Sequence, residues 1–477
     1  MILFIFACYF ILMLLIGYWA WSKTKNLDDF ILGGRSLGAF PIALSAGASD
    51  MSGWLLLGLP GFAYLAGVEA AWMALGLFLG TWANWQFLAR PLRVASERYD
   101  NSLTLPDYFA NRYPELGTVL RFSSAFLILL FFLFYTSSGL VAGGKLFESV
   151  LNVDYSVAVT LGLLAIVGYT MFGGFLAVTW TDVIQALLMI CALLALPILA
   201  LTDLGLEQMV VAIEDKNPAL LSLFTKIDGT PLGLITIVSL MGWGLGYFGQ
   251  PHILSRFMAI NSENNIASGK RIAVSWTFLT LLGSLCIGWA GIALIPETQG
   301  DVEKIFIELI YLLTHPLIAG LLLASILAAI MSTADSQLLV ASSALSNDIY
   351  RTLFKKASPN RLVWVGRFAV VMVAVCAWLL ALQPDSTVLG LVSYAWAGFG
   401  AVFGPVLLLS LYWKPLNAWG VLAGMIVGAL TVLLWKHQTG GIFELYEIIP
   451  GVIFSAFASI TVSLVTPKRV MSYSAEG

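Results

Sequence analysis

Long apolar runs separated by short polar ones recur along the whole chain. A membrane-spanning helix needs about 20 mostly apolar residues. Runs of that kind lie at 3–22, 40–62, 66–88, 118–146, 155–172, 174–201, 231–249, 272–296, 316–345, 362–383, 387–412, 417–435 and 448–466. The pattern predicts an all-α polytopic membrane protein of about 13 transmembrane helices. Two shorter stretches, 104–113 and 302–314, read as short amphipathic helices between spans.

Composition points the same way. Of 477 residues 59% are hydrophobic and 11% charged, whereas about a quarter of a soluble domain is charged. A single transmembrane domain over 1–477 fits better than several soluble ones. No basic stretch is long enough for nucleic acid. Cys8, Cys191, Cys286 and Cys376 each lie in an apolar run, which argues against a disulfide framework or a zinc site. The first run lacks a basic flank and a cleavage site and reads as a retained helix rather than a signal peptide.

Charge orients the bundle. An odd number of spans puts the termini on opposite sides and divides the loops into two sets. One set carries Lys23, Lys25, Arg35, Arg90, Arg93, Arg98, Arg112, Arg121, Arg256, Lys270, Arg271, Arg351, Lys355, Lys356, Arg361, Arg367, Lys414, Lys468 and Arg469, which is 19 of the 24 basic residues. The other carries Lys145, Lys216, Lys226, Lys304 and Lys436. Cytoplasmic loops are enriched in Lys and Arg, so the N-terminus is expected outside and the C-terminus in the cytoplasm. Asp50, Asp182 and Asp335 fall within or at the edge of apolar spans. A carboxylate there costs a few kcal/mol and as a rule faces a cavity on an ion or substrate path. His252, His315 and His437 read as lying near loops, with no proton-relay role.

Two spans look interrupted. Span 2 holds Ser45, Gly47, Ser49, Asp50, Ser52 and Gly53 at its middle; span 7 ends on Gly242, Gly244, Gly246, Gly249 and Pro251. Glycine and proline weaken a helix interior, and unwound backbone at membrane depth must line a protein cavity. The interruptions are five spans apart, which suits an inverted repeat of spans 2–6 and 7–11 with its binding site at the breaks. The alternative is close helix packing through small residues. In span 9, Ala329, Ser332 and Thr333 share one helix face, extended by Ser325 and Ser336. Hydroxyls and free carbonyls together suit a hard cation that prefers oxygen ligands; the alternative is back-bonding to the i−4 carbonyl.

These residues also carry a resemblance. DDFILGGRSLG (28–38), ALSAGASDMSGWLL (43–56), LTLPDYF (103–109), GGFLAVTWTD (173–182), SLMGWGLGYFGQPHIL (239–254), ILAAIMSTADSQLL (326–339), GLVSYAWAGFGAVFGP (390–405) and LYEIIPG (445–451) resemble the sodium/solute symporter family, and within it the bacterial sodium/proline symporters, over nearly the whole chain. The resemblance implies a LeuT-like five-plus-five inverted repeat with one helix before it and two after. On that basis 1–39 is the first helix and its loop, 40–201 the first repeat, 231–412 the second, and 413–477 two C-terminal helices and a short tail. It also implies sodium-coupled symport of L-proline by a monomer in the bacterial inner membrane. Carried over residue by residue, sodium (the co-transported ion) is bound by the carbonyls of Ala48, Met51 and Ala329 and the hydroxyls of Ser332 and Thr333. Arg35, Asp50 and Asp182 match positions tied to ion affinity and coupling, and Ser52, Gly53, Tyr135, Trp243, Tyr247 and Pro251 match positions around the solute. Asp335 stands where some relatives carry a small polar residue; it tunes ion affinity or pairs with a basic residue near the cytoplasmic face.

Trp243 and Tyr247, spaced i, i+4, are expected to wall one side of proline's ring, and aromatic faces attract its ammonium. Packing or interfacial anchoring is the other reading of such aromatics. Another solute, such as a different amino acid or pantothenate, remains open. An ion channel fits less well, since channel pores are commonly built by symmetry between chains. A membrane sensor would need a soluble signalling domain after the last span. No nucleophile–base set or cofactor loop points to an enzyme.

Overall fold

The computed structural model describes residues 1–24, 27–170, 174–298, 300–383 and 386–466. Lys25, Lys468 and Arg469 of the basic set, Gly173 of one motif and the C-terminal tail lie outside the described residues. Regular structure among the described residues is helical, apart from isolated bridges pairing Leu37 with Ile260 and Thr225 with Pro231.

Helix α1 (Ile2–Trp21) leads through α2 (Leu27–Leu32) to a broken helix made of α3 (Ala39–Asp50) and α4 (Leu59–Ala66). The rod of α5 (Ala71–Ala83) and α6 (Ala89–Arg98) follows, then α7 (Leu105–Arg112), the amphipathic helix expected at 104–113. Thr104 starts α7 by accepting the Asp107 N–H at 3.1 Å, with Pro106 in the first turn, the usual chemistry of a helix start. Next come the long α8 (Gly117–Leu151), the shorter α9 (Tyr155–Thr170) and the long α10 (Phe175–Leu204). The surface helix α11 (Leu206–Lys216), not anticipated from the sequence, precedes a second broken helix, α12 (Leu234–Gly242) and α13 (Pro251–Ala259). The chain closes with α14 (Ile266–Leu294), α15 (Ile305–Leu313), α16 (Pro316–Ser343) and its end turn α17 (Arg351–Leu353), α18 (Pro359–Ala381), α19 (Val388–Tyr412), α20 (Ala418–Trp435) and α21 (Ile448–Val465).

Among the described residues, ten helices are long and apolar enough to cross a membrane, and Tyr155–Gly168 and Leu234–Gly249 are shorter apolar helices. Length and apolarity therefore do not reproduce the expected count of about 13. The interrupted spans come in pieces, and Trp54–Arg98 runs on as one 45-residue helical stretch that turns at Gly67, φ 64°. Burial separates centre from rim: 83% of the apolar window of Pro316–Leu353 is buried but only 17% of that of Ile2–Trp21. α16 is thus the axis, and α1 presents most of its surface to lipid. α3 packs against α10, α13, α14 and α16, and α8 against α16 and α19.

Three basic residues assigned to loops are buried: Arg93, on α6, donates its Nε–H to the Ile260 carbonyl at 2.7 Å, and two more lie within the bundle. Lys145 is inside α8, where its ammonium meets Glu303 at 2.6 Å and Asp301 at 2.7 Å. The Glu303 carboxylate also accepts the Val388 and Leu389 N–H groups at 2.9 and 3.0 Å, capping α19 at its positive end. Arg256 is the other. The span expected to end at Gly249 continues as α13, and Arg256 on it is fully buried. A proline at the first helical position begins a helix as readily as proline ends one. Ile253, Leu254, Phe257 and Met258, apolar at helical spacing, are the signal that this segment is no loop. His252, read as near a loop, is on the same helix and fully buried.

Candidate functional site

The first break is a redistribution of backbone hydrogen bonds. In a continuing helix the Ser52 N–H would reach the Ala48 carbonyl. Instead Met51 leaves helical geometry (φ −87°, ψ 81°), and the Ser52 N–H turns to the Asp50 carbonyl at 3.1 Å. That carbonyl also accepts Trp54 Nε1–H and the Tyr135 hydroxyl, each at 3.1 Å. The Ala48 carbonyl is thereby released to side chains, as a buried acceptor must be satisfied somewhere. Gly53 lets the break approach α8: a Cβ there would meet the Ala142 Cβ at 2.5 Å. Ser52 Oγ stays local and accepts the Trp54 N–H at 3.4 Å.

α16 supplies what the Ala48 carbonyl lacks. Ser332 Oγ lies 2.8 Å from the Ala48 oxygen and 3.1 Å from the Ala329 oxygen, and Thr333 Oγ1 is 3.4 Å from the Ala48 oxygen. Four of the five residues expected to ligate an ion are thus brought into one buried oxygen cluster. These are hydrogen-bond separations; with metal–oxygen distances of about 2.4 Å, adjacent oxygens of an octahedron are about 3.4 Å apart, so the cluster would have to open by a few tenths of an ångström to hold a cation. Met51, the fifth, is buried directly after the break, and its Sδ accepts the Thr280 hydroxyl at 3.4 Å. Ser325 bonds back to the Leu322 carbonyl as Ser332 does to Ala329, which is ordinary helix chemistry; what sets Ser332 apart is its reach to Ala48 on another helix.

The second break is built differently. Trp243–Gly249 form a 3-10 stretch, and Gln250 is extended before Pro251 starts α13. The Trp396 ring lies where a Gly246 Cβ would project, and its Nε1–H donates to the Trp243 carbonyl at 2.7 Å. At three residues per turn, positions i and i+4 lie about 120° apart. The shared aromatic wall expected of Trp243 and Tyr247 therefore does not form. Trp243 stacks on Tyr446 at 5.3 Å and lines a 480 Å³ cavity with Ser239, Ser393 and Tyr446. Tyr247 turns inward, its ring edge-on to Trp396, and its hydroxyl donates to Asp50 Oδ2 at 2.7 Å. Asp50 Oδ1 is buried with no hydrogen-bond partner. Tyr135 joins this group through the Asp50 carbonyl. Pro251 lines a separate small apolar cavity of about 30 Å³ with Ser255 and Leu339.

Asp182 and Arg256 form a buried ion pair at 3.2 Å, both fully shielded from solvent. Ser45 Oγ–H donates to Asp182 Oδ2 at 2.6 Å and accepts Arg256 Nε–H at 3.0 Å. Arg256 Nη2 reaches Ser336 Oγ at 2.5 Å. Asp335 accepts the Thr170 hydroxyl at 2.5 Å and lies within electrostatic reach of Arg256. The guanidinium is thus paired with Asp182, near Asp335, and tied to Ser336, one helical turn along α16 from Ser332 and Thr333. Arg35 is a tether outside the spans: it adopts positive φ (51°) and donates to Ser96 Oγ and to the Ser102 and Met258 carbonyls. Burial, with the Arg93 guanidinium close by, holds its pKa down to about 10, so it stays charged at neutral pH.

A bundle with two broken helices, the first of whose breaks meets an oxygen-lined face of the central helix, is the architecture of a secondary transporter. Comparison with known proteins gives the class its name. The profile of the sodium:solute symporter family matches residues 30–428, and the chain belongs to that family. It is 51% identical over 468 residues to the sodium/proline symporter of Salmonella typhimurium (strain LT2), covering 96% of this chain and 92% of that one. It is 49% identical over 459 residues to the high-affinity proline transporter PutP of Bacillus subtilis (strain 168), covering 95% and 96%. Among solved structures, a Na+-coupled sialic acid symporter superposes with a TM-score of 0.80 at 20% identity over 98% of both chains. Mhp1, a nucleobase-cation-symport-1 family transporter, gives 0.55 at 15% identity over 93% of this chain and 97% of that one. The fold is LeuT-like, and the chain is a transporter, not an enzyme. With bacterial relatives and ten apolar helices, it is a multi-pass inner-membrane protein.

Proposed function

We propose that this chain is a sodium symporter that carries L-proline into the cell by alternating access. The observation that carries the ion half is the Ala48 carbonyl, freed by the break and met by the Ser332 and Thr333 hydroxyls, with the Ala329 carbonyl also beside Ser332 Oγ. Sodium takes the carbonyls of Ala48, Met51 and Ala329 and the two hydroxyls. Before it binds, the hydroxyl protons hold α3 to α16 by hydrogen bonds. When it binds, they turn away and the oxygens converge on the cation, so the ion replaces one link between the two helices with a stronger one. The relatives named as proline transporters support the solute half. Ser52, Gly53, Tyr135 and Tyr247 gather at the first break and surround the solute; Trp243 stands at its entrance from the 480 Å³ cavity, and Pro251 flanks it from α13. Asp50 stands beside the ion, while Arg35 and the Asp182 pair couple the site to the moving helices.

In this reading 40–201 and 231–412 are the two repeats, the N-terminus lies outside and the C-terminus in the cytoplasm. Moving Arg256 out of the loop set leaves the basic excess on the same side. The test is uptake of radiolabelled proline into proteoliposomes with and without an inward sodium gradient. Uptake should need the gradient. Gradient-driven uptake of another solute in its place would overturn the proline assignment but keep the ion site.

A further inference from the structure

We propose that His252 is a solute-positioning residue whose ring N–H donates a hydrogen bond to the carboxylate of the transported amino acid. The inference rests on the proline reading above and deepens it. His252 is fully buried, and neither ring nitrogen has a hydrogen-bond partner in the protein. A neutral imidazole offers one donor and one acceptor, and leaving both unmet away from water is costly. Around the breaks Ser45, Arg256, Tyr135 and Tyr247 have protein partners, whereas Asp50 Oδ1 and Gln250 Oε1 lack one as the His252 ring does. The ring is not stranded in an apolar corner. It lies against Tyr135 at 5.8 Å and Phe132 at 5.7 Å, and the Tyr135 hydroxyl bonds the Asp50 carbonyl. His252 is therefore one side chain away from the first break.

The charge around it selects which end of a zwitterion it meets. His252 is the second residue of α13, in the first turn, where the helix dipole favours an anion, although the Ile253 and Leu254 N–H groups are taken by the Gln250 carbonyl. Arg256, one turn on, has its charge met by Asp182, and its Nη1–H donates to the His252 carbonyl at 2.8 Å, which fixes the start of the helix. Across Tyr135 stands the Asp50 carboxylate, whose Oδ1 is unmet. A zwitterion between them lies with its ammonium towards Asp50 and its carboxylate towards His252 and the start of α13.

The experiment measures binding of proline to the purified full-length protein in saturating sodium, with prolinamide, which lacks the carboxylate charge, as competitor. His252→Phe keeps a flat ring without the donor; it should weaken proline roughly tenfold to hundredfold and prolinamide by less than about threefold. His252→Gln, which restores a donor, should recover most of the proline affinity, and half-saturating sodium should stay near the parent value in both. Unchanged proline affinity in His252→Phe overturns the proposal. So does an equal loss for proline and prolinamide, the mark of a merely structural role. Should His252→Phe not fold, His252→Leu against His252→Gln gives the same two outcomes. A parent protein that binds no proline in sodium refutes the underlying reading, and this inference with it, before any variant is made.

Discussion

Removing one hydroxyl from α16 tests the oxygen cluster most sharply. Ser332→Ala deletes the oxygen 2.8 Å from the Ala48 carbonyl and 3.1 Å from that of Ala329, leaving only Thr333 Oγ1, at 3.4 Å, to face Ala48. Loss of one buried ligand to a charged group is worth about 1–3 kcal/mol. At 1.4 kcal/mol per factor of ten, that raises the sodium needed for half-maximal uptake about 5- to 140-fold. Ser332→Thr keeps the oxygen and adds only a methyl, so it should fall well below that rise. The more distant Thr333 hydroxyl places Thr333→Ala at the low end of the range, with Thr333→Ser near the parent. Proline affinity at saturating sodium should change less, because excess ion refills the site by mass action. The assay is initial proline uptake into proteoliposomes across a sodium titration. Sodium curves for Ser332→Ala and Thr333→Ala that match the parent would show that neither hydroxyl is a ligand.

Three further outcomes follow from the same geometry. Tyr247→Phe removes the hydroxyl that donates to Asp50 Oδ2 and leaves that buried carboxylate without a side-chain donor, so proline affinity in a binding assay should fall about tenfold; an unchanged affinity would separate Tyr247 from the site. Asp182→Asn strips the ion partner from fully buried Arg256 and should destabilise by about 3–5 kcal/mol, read as a lower melting temperature in detergent. Combining it with Arg256→Met should cost less than the sum of the two single changes, and strict additivity would contradict a direct pairing. Gly53→Val drives a branched side chain into Ala142; it should cost about 1–3 kcal/mol of overpacking and slow uptake, whereas parent-like stability and rate would show that the break and α8 can separate.

The sequence pattern made the helices, the two interruptions and the hydroxyl face of α16 legible, because each rests on local chemistry: apolar run length, glycine and proline content, and a spacing of i, i+3, i+4. It failed where tertiary contacts decide. Arg256 looked like a loop cation because proline at 251 reads as a stop. Only the partners Asp182, Ser45 and Ser336, from three other helices, explain a buried guanidinium there. Trp243 and Tyr247 were placed on one wall by α-helical spacing, but the 3-10 stretch rotates them apart. Lys145 could not be assigned until the loop carrying Asp301 and Glu303 folded back over α8.

The central claim, that proline moves with a sodium ion, is tested most directly by the steady-state proline ratio across proteoliposomes under an imposed sodium gradient and an imposed membrane potential. Zwitterionic proline adds no net charge, so one-to-one symport carries one charge inward. A tenfold sodium gradient at zero potential should sustain about a tenfold proline ratio. Adding 100 mV, inside negative, supplies about 2.3 kcal/mol more per charge and should raise the plateau roughly 50-fold further. A plateau that stays near one whatever the sodium gradient, or that ignores the potential, would contradict sodium-coupled symport.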